Sequence, residues 1–369
     1  MDRKCVISAG QLFGALLLSS LITVISADSA RFGLVNIWDD VLACAAVFAA
    51  NVVFAVPIWL LFQRYPKENV LDCAGGLAMW WGKAVAVFYA AYFLLMAGCE
   101  LAEFGVFQVN TVAPELPSWL PIAAVLLAAL YAAYRGIEPT MRAAVLLLAL
   151  VLLGVVLIVG TAAVQVNRAN FMPPFYQGGA QTVQTALLLF GRGSGLAVMA
   201  MLLPWTAGRK KTGFALWNGA AGLCAGLLLL VTVGVLGNAV QTQLFPVHTL
   251  AAVAGIGPFQ RMDSVFLGIW TVGVFVKAAL YLYLFGFCMR RVFSLPKQGF
   301  FFIGGAIFMG IFSGLIAKFA VLRRFCFGVS FTVPLTLVAG VVIPLVLLLL
   351  CVMRDRTAER LQKLPGGAV

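Results

Sequence analysis

The sequence predicts an all-α integral membrane protein of ten transmembrane helices, on three observations. First, 63% of the 369 residues are hydrophobic and only 10% are charged, against roughly 45–50% and about 25% in soluble domains. A mean hydropathy of +1.04 excludes a cytosolic enzyme. Second, the apolar residues fall into ten runs, each long enough to cross a bilayer as a helix. Third, Lys and Arg crowd into alternate connections, as the positive-inside rule requires. A helix is the required form, because lipid offers the backbone no hydrogen-bond partner. An outer-membrane barrel fails, because the runs are continuously apolar and do not alternate.

The runs lie at residues 7–27, 38–62, 79–108, 118–135, 141–166, 182–207, 212–237, 262–290, 299–319 and 331–353. With the N-terminus inside, the inner segments hold Arg3, Lys4, Arg64, Lys67, Arg135, Arg142, Arg209, Lys210, Lys211, Arg290, Arg291, Lys297, Arg354, Arg356, Arg360 and Lys363. The outer segments hold only Arg31, Arg168, Arg261, Lys318, Arg323 and Arg324. Both termini are therefore expected in the cytoplasm. The net charge of +12 is this loop bias and not a nucleic-acid-binding face. Met1–Lys4, the first apolar run and Ile25–Ala30 have the outline of a signal peptide. An uncleaved first helix fits the charge distribution without adjustment. No loop is a convincing linker, so residues 1–369 read as a single transmembrane domain, with a short cytoplasmic tail at 354–369.

The cysteines are Cys5, Cys44, Cys73, Cys99, Cys224, Cys288, Cys326 and Cys351. They form no C-x-x-C pair and read as small buried hydrophobes. His248 is the only histidine. No metal and no cofactor are expected.

Charges at membrane depth mark functional sites by default. In span 1, Ser19, Ser20 and Thr23 either line a cavity or bond back to their own helix. In span 3 the stripe Tyr89, Phe93, Met96, Glu100, Glu103, Phe107 shares one helix face. Glu100 is expected to pair with Lys277 or Arg192. Glu103 either joins the same path or reaches outer-leaflet water, which is the simpler reading. In span 6, Phe190-Gly191-Arg192-Gly193-Ser194 weakens the helix with glycines. Close packing through small residues would explain the glycines; an unwound segment whose backbone meets a ligand also accounts for Arg192. In span 8, Lys277 lies about 14 residues from either end, too deep to snorkel, with Tyr281 one turn further on. It is a proton-coupling group, a fixed charge in place of a sodium ion, or one half of a structural ion pair. Spans 1 and 6 are five apart, the offset of a five-plus-five inverted repeat with broken helices 1 and 6.

Further motifs are spread along the chain. They are Ile7-Ser8-Ala9-Gly10-Gln11, Gly136-Ile137-Glu138-Pro139-Thr140-Met141-Arg142, and the Asn167–Gly178 loop with Asn170, Pro173 and Pro174. Leu203-Pro204 with Arg209-Lys210-Lys211 follows, then Phe245-Pro246, then Arg261-Met262-Asp263 with Ile269-Trp270. In order and spacing the chain resembles the GerAB-type spore germination permeases of the amino acid–polyamine–cation transporter superfamily, from about residue 7 to about residue 350. The resemblance implies a LeuT-like fold and a pocket between helices 1, 3, 6 and 8. It implies a germinant receptor in the spore inner membrane that senses a small ligand, often an amino acid, beside a second membrane subunit and a lipoprotein subunit. Arg192 stands where family members often carry a carboxylate.

The leading expectation is thus a germinant-receptor subunit, with Ser19, Ser20, Thr23, Phe190, Gly191, Arg192, Gly193 and Ser194 at the ligand and Lys277, Glu100, Glu103 and Tyr281 setting charge. A proton-coupled amino-acid or amine transporter is the second reading and an ion-conducting channel subunit the third. An enzyme is not expected, since Ser194 has no nearby base.

Overall fold

The structure is a computed structural model that describes residues 7–26, 37–171, 173, 175, 178–255, 261–295 and 299–362. Arg3, Lys4, Cys5, Asp28, Arg31, Pro174, Lys297 and Lys363 lie outside the described residues, as does the Ala27–Ala30 part of the signal-like stretch.

Span 1 is α1 (Ala9–Ile25). Ser8 Oγ accepts from the Gln11 amide at 3.2 Å, and Gln11 Oε1 accepts from the Ser8 amide at 2.9 Å. This is a capping box, so the I-S-x-x-Q motif marks a helix start. Ile7–Ser8 also forms β1, paired in parallel with β2 (Thr206–Ala207). The pairing ties the start of span 1 to the end of span 6.

Span 2 is two helices, α2 (Ile37–Phe54) and α3 (Val56–Arg64). Pro57 in the first turn of α3 has no N–H to continue the ladder. A short helix absent from the sequence reading follows, α4 (Val70–Leu77), where Asn69 and Asp72 cap each other. Span 3 is α5 (Met79–Phe107), ending in a π turn at Gln108–Val112. Span 4 is α6 (Trp119–Arg135) and span 5 is α7 (Ile137–Ala162). The latter begins before the expected residue 141. Gly136 turns the chain at a φ of +99°, and Glu138 pairs with Arg142 one turn on at 2.5 Å.

Span 6 is α8 (Gly179–Arg192) and α9 (Gly195–Leu202). Spans 7, 8 and 9 are α10 (Lys210–Leu236), α12 (Asp263–Phe293) and α13 (Gly299–Lys318). The connections carry α11 (Pro246–Val253) and α14 (Ala320–Phe327). Span 10 is α15 (Val329–Leu337), a π turn at Val338–Val342 and α16 (Ile343–Gln362). This last helix runs through the expected tail as far as Gln362. Asp355 there accepts from Arg64 Nε at 2.9 Å and from the Tyr65 hydroxyl at 2.6 Å.

Among the described residues, eight helices are long and apolar enough to cross a membrane. The apolar helices α1 and α6 are shorter, at 17 residues each, or about 25 Å of rise. They occupy the places expected of spans 1 and 4.

The packing sorts the helices into two groups. α1, α2, α8 and α10 pack on one another, and so do α5, α6, α12 and α13. α7 bridges the groups through α1 and α12, and α15 lies on α8. Each group draws equally on the first and second five spans, as a five-plus-five repeat requires. The groups pack closely at Gly273 of α12, where an added Cβ would lie 2.0 Å from Ile22 Cδ1.

Removing the α1 cap tests the first of these contacts. Ser8→Ala should lower stability by about 1 kcal/mol, read as a fall in the thermal midpoint of detergent-purified protein.

Candidate functional site

The site is built around the interruption of span 6. α8 ends at Arg192, Gly193 and Ser194 leave helical geometry, and α9 begins at Gly195. Breaking a helix in lipid leaves backbone groups that need partners. The Phe190 carbonyl accepts from the Gly193 amide at 3.0 Å, and the Ser194 carbonyl accepts from the Val198 amide at 3.0 Å. The Gly191 carbonyl accepts from Thr336 Oγ1 of α15 at 2.6 Å. Thr336 Oγ1 is also 3.4 Å from the Tyr92 hydroxyl of α5. Gly191 is bare because an added Cβ would lie 2.5 Å from Thr332 Oγ1.

On one side of the break sits a four-charge cluster. Lys277 Nζ donates to Glu100 Oε1 at 2.5 Å and to Thr23 Oγ1 at 2.9 Å. Arg192 pairs with Glu103, lies 3.8 Å from Glu100, and donates to Ser26 Oγ at 2.8 Å. The Phe327 ring lies 5.4 Å from the guanidinium. All four charged residues are buried, with exposures between 1% and 4%. Two cations face two anions, so the cluster is neutral as a unit. Glu100 Oε2 makes no hydrogen bond among the described residues.

On the other side of the break is a cavity of about 50 Å³. It is lined by Ser20, Thr23 and Val24 of α1, Val47, Phe48 and Asn51 of α2, Leu189, Phe190, Gly193, Gly195 and Leu196 of span 6, and Trp217 of α10. None of these side chains is charged. The cavity lies within the α1–α2–α8–α10 group. It is not between helices 1, 3, 6 and 8, where the resemblance places a pocket. That space is taken by the charge cluster and by Tyr281, whose hydroxyl bonds Ser194.

The sequence-predicted residues divide accordingly. Ser20, Thr23, Phe190 and Gly193 line the cavity. Arg192 and Ser194 turn away from it, toward the cluster and Tyr281. Gly191 faces α15, and Ser19, also buried, accepts through its carbonyl from Thr23. For Ser20 and Thr23, but not Ser19, both readings of the span 1 hydroxyls hold at once. Ser20 and Thr23 donate to carbonyls of their own helix while accepting from Trp217 and Lys277. Span 1 is a continuous helix over Ala9–Ile25. Its helix stops at Ser26, beside Arg192, and residues 27–36 lie outside the described residues.

The expectation that Glu103 reaches outer-leaflet water is corrected. It is 2% exposed and paired with Arg192, because a mid-membrane guanidinium needs its charge. Of the three readings of Lys277, the structure shows the ion pair with a glutamate. The whole span 3 stripe, Tyr89 to Phe107, is buried.

Sequence reasoning missed Asn51, Trp217, Phe327 and Thr336. The pair Thr332 and Thr336, one turn apart in an apolar run, was the available signal for α15. The other motifs are structural. Asn170 Nδ2 donates to the Gly234 carbonyl at 2.9 Å, and Arg261 pairs with Asp263 at 2.7 Å. Trp270 is buried among Phe104, Phe107, Phe245 and Phe266.

A family model described as "Spore germination protein" (Spore_permease) matches residues 11–320. Spore germination protein KB of Bacillus subtilis (strain 168) is 26% identical over 239 residues, 60% of this chain. The matched stretch spans 62% of that relative's length. Among solved structures, a Na+-coupled sialic acid symporter in a substrate-bound outward-open state superposes with a TM-score of 0.61 at 12% identity, over 90% of this chain and 78% of that one. MhsT in complex with L-phenylalanine gives a TM-score of 0.58 at 14% identity, over 91% and 87%. The fold is that of the LeuT-type transporters.

The cluster makes a quantitative demand. Lys277→Met leaves Glu100 with only the more distant Arg192, and it should destabilise the protein by about 3–5 kcal/mol. A chemical or thermal unfolding series in detergent measures the loss. A cost near zero would mean that the lysine is not needed as a counter-charge.

Proposed function

The chain belongs to the spore germination permease family, and on that premise we propose that it is the ligand-binding membrane subunit of a germinant receptor. It is a germination-related, transporter-like integral membrane protein, and its family and fold are those of permeases and not of enzymes. The proposal goes further in four respects. The ligand is a small molecule, with an amino acid as the first candidate. It binds at the span 6 break. The protein works in the spore inner membrane, as one domain of ten spans with both termini cytoplasmic. Its partners are a second membrane subunit and a lipoprotein subunit.

One observation carries the reading. The break at Gly193–Ser194 has an uncharged cavity on one face and a neutral cluster of four buried charges on the other. Thr23 belongs to both, lining the cavity and accepting from Lys277. A ligand entering the cavity meets the backbone of the break directly. Its binding biases the arrangement of α8 against α9, and through Thr23 and Arg192 that change reaches α5 and α12. A ligand signals only if it binds two arrangements with different affinity. The cavity has room for a few water molecules, the scale of a small amino acid, and a larger ligand requires the break to open further.

A second reading is favoured by the unpartnered Glu100 oxygen, which leaves room for a proton in the cluster. On that reading the protein is a proton-coupled transporter of the same ligand.

Proteoliposomes holding this chain alone separate the two. The receptor reading expects saturable amino-acid binding without net uptake, whatever the pH gradient. Uptake that collapses with the gradient would establish the transporter instead. Conductance without ligand movement would establish a channel. In either ligand-binding case Asn51→Leu and Thr23→Val should each weaken binding about tenfold, the worth of one hydrogen bond. Equal affinity in both variants would place the ligand elsewhere.

A further inference from the structure

Three cations that the charge cluster does not use lie where span 9 leads into span 10. Lys318 ends α13, and Arg323 and Arg324 belong to α14. The positive-inside reading places this connection outside, where cations are otherwise sparse. In the preceding outer connection, Arg261 has a carboxylate partner in Asp263. Among the described residues no carboxylate pairs with Lys318, Arg323 or Arg324. Lys318 Nζ lies 5.6 Å from the centre of the Phe319 ring. Lys318 and Arg324 are exposed and Arg323 is half-buried.

An apolar surface runs up to these cations. Ile303, Ile307, Ile311 and Leu315 of α13 are all exposed and recur every fourth residue, so they share one side of the helix, the side turned to lipid. The next position in that series is Phe319, also exposed. α14 continues the surface with Val321 and Phe325, which are 83% and 60% exposed and again four apart. Leu322 and Cys326 pack instead on the small cluster that holds Cys99, Ala102, Ile316 and Phe327. α14 therefore has one flank on the protein, one apolar and exposed, and one that carries Arg323 and Arg324. Depth follows from length. α13 has 20 residues, or about 30 Å of rise, which matches the hydrocarbon core of a bilayer. Lys318 and α14 thus stand where acyl chains give way to headgroups.

We propose that α14 lies along the bilayer surface and that Lys318, Arg323 and Arg324 bind the phosphate of an anionic phospholipid, with Val321 and Phe325 among its acyl chains. A segment with cations on one flank and Val and Phe on another is suited to the interface plane. Guanidinium groups meet phosphate oxygens with paired N–H donors. A zwitterionic headgroup carries its own ammonium beside the phosphate, so three cations without carboxylate partners select the anionic lipid. Each cation beside an anionic surface is worth about fivefold in affinity. The occupant is lipid and not a protein partner, because the apolar flank of α14 continues the lipid-facing series of span 9.

The test uses the full chain in nanodiscs doped with photoactivatable phosphatidylglycerol or the matching phosphatidylcholine, and reads the labelled residues by peptide mass spectrometry. Residues 319–327 should take at least about fivefold more label from the anionic lipid. The variant with Lys318→Gln, Arg323→Gln and Arg324→Gln should lose that preference while labelling of α13 stays unchanged. Added sodium chloride should weaken the preference in the unaltered protein. Equal labelling by both lipids, or a preference that survives in the triple variant, would overturn the proposal. So would the absence of label on Val321 and Phe325 from either lipid, which would mean that protein or water covers α14. If inorganic phosphate removes the preference where sodium chloride of equal ionic strength does not, the ligand is free phosphate and the lipid assignment falls. No arm uses a germinant, so the result is separate from the fate of the receptor reading.

Discussion

An arginine placed in the middle of a membrane must have an anion beside it, and the rest of this site follows from that requirement. Arg192 closes a half-helix in span 6 and takes Glu103 as its partner. Glu103 shares a face with Glu100, one turn back on the same helix. Glu100 is then within reach of both Arg192 and Lys277. Four charges from three spans thus settle into one neutral unit. The unit is costly to assemble, since each ion loses its water. Its effect is positional: it allows spans 3, 6 and 8 few other registers. Thr23 and Ser26 bring span 1 into the same network.

The interruption of span 6 is what this network protects. A broken helix in lipid needs outside partners for its freed backbone groups, and here α15 supplies one through Thr336. The same span is held at its far end by the short pairing of β1 with β2. The break is therefore supported from span 10 on one side, from the charge cluster on another, and from the start of span 1 beyond α9. The face left open is the cavity, walled by α1, α2 and α10. A segment pinned on several sides and open on one is suited to report what enters the open side.

Much of this was legible in the sequence. Continuous apolar runs placed the helices, and glycines around Arg192 placed the break. Deep charges of opposite sign led to the expectation that Glu100 pairs with Lys277 or Arg192, and it lies within reach of both. What was not legible depended on three-dimensional neighbours. Glu103 reads like an interfacial carboxylate until Arg192 is known to lie opposite. Asn51 and Trp217 are ordinary in their own helices and gain meaning only where α2, α10 and span 6 converge. Pro57 and the turn of α4 show that hydropathy marks where chain lies in lipid and not where a helix is continuous. The family motifs identified the family, and their roles here are structural. I-S-x-x-Q and G-x-E-x-x-x-R form a capping box and an i,i+4 ion pair, which position the starts of spans 1 and 5.

The central claim is that the two cations Arg192 and Lys277 act as one unit through the glutamates between them. A double-mutant cycle measures this directly, with Arg192→Met, Lys277→Met and the double variant compared by unfolding in one detergent. The account predicts a coupling energy of about 1 kcal/mol or more, the size found within shared ionic networks. Additive losses within about 0.5 kcal/mol would mean two independent ion pairs, and would contradict it.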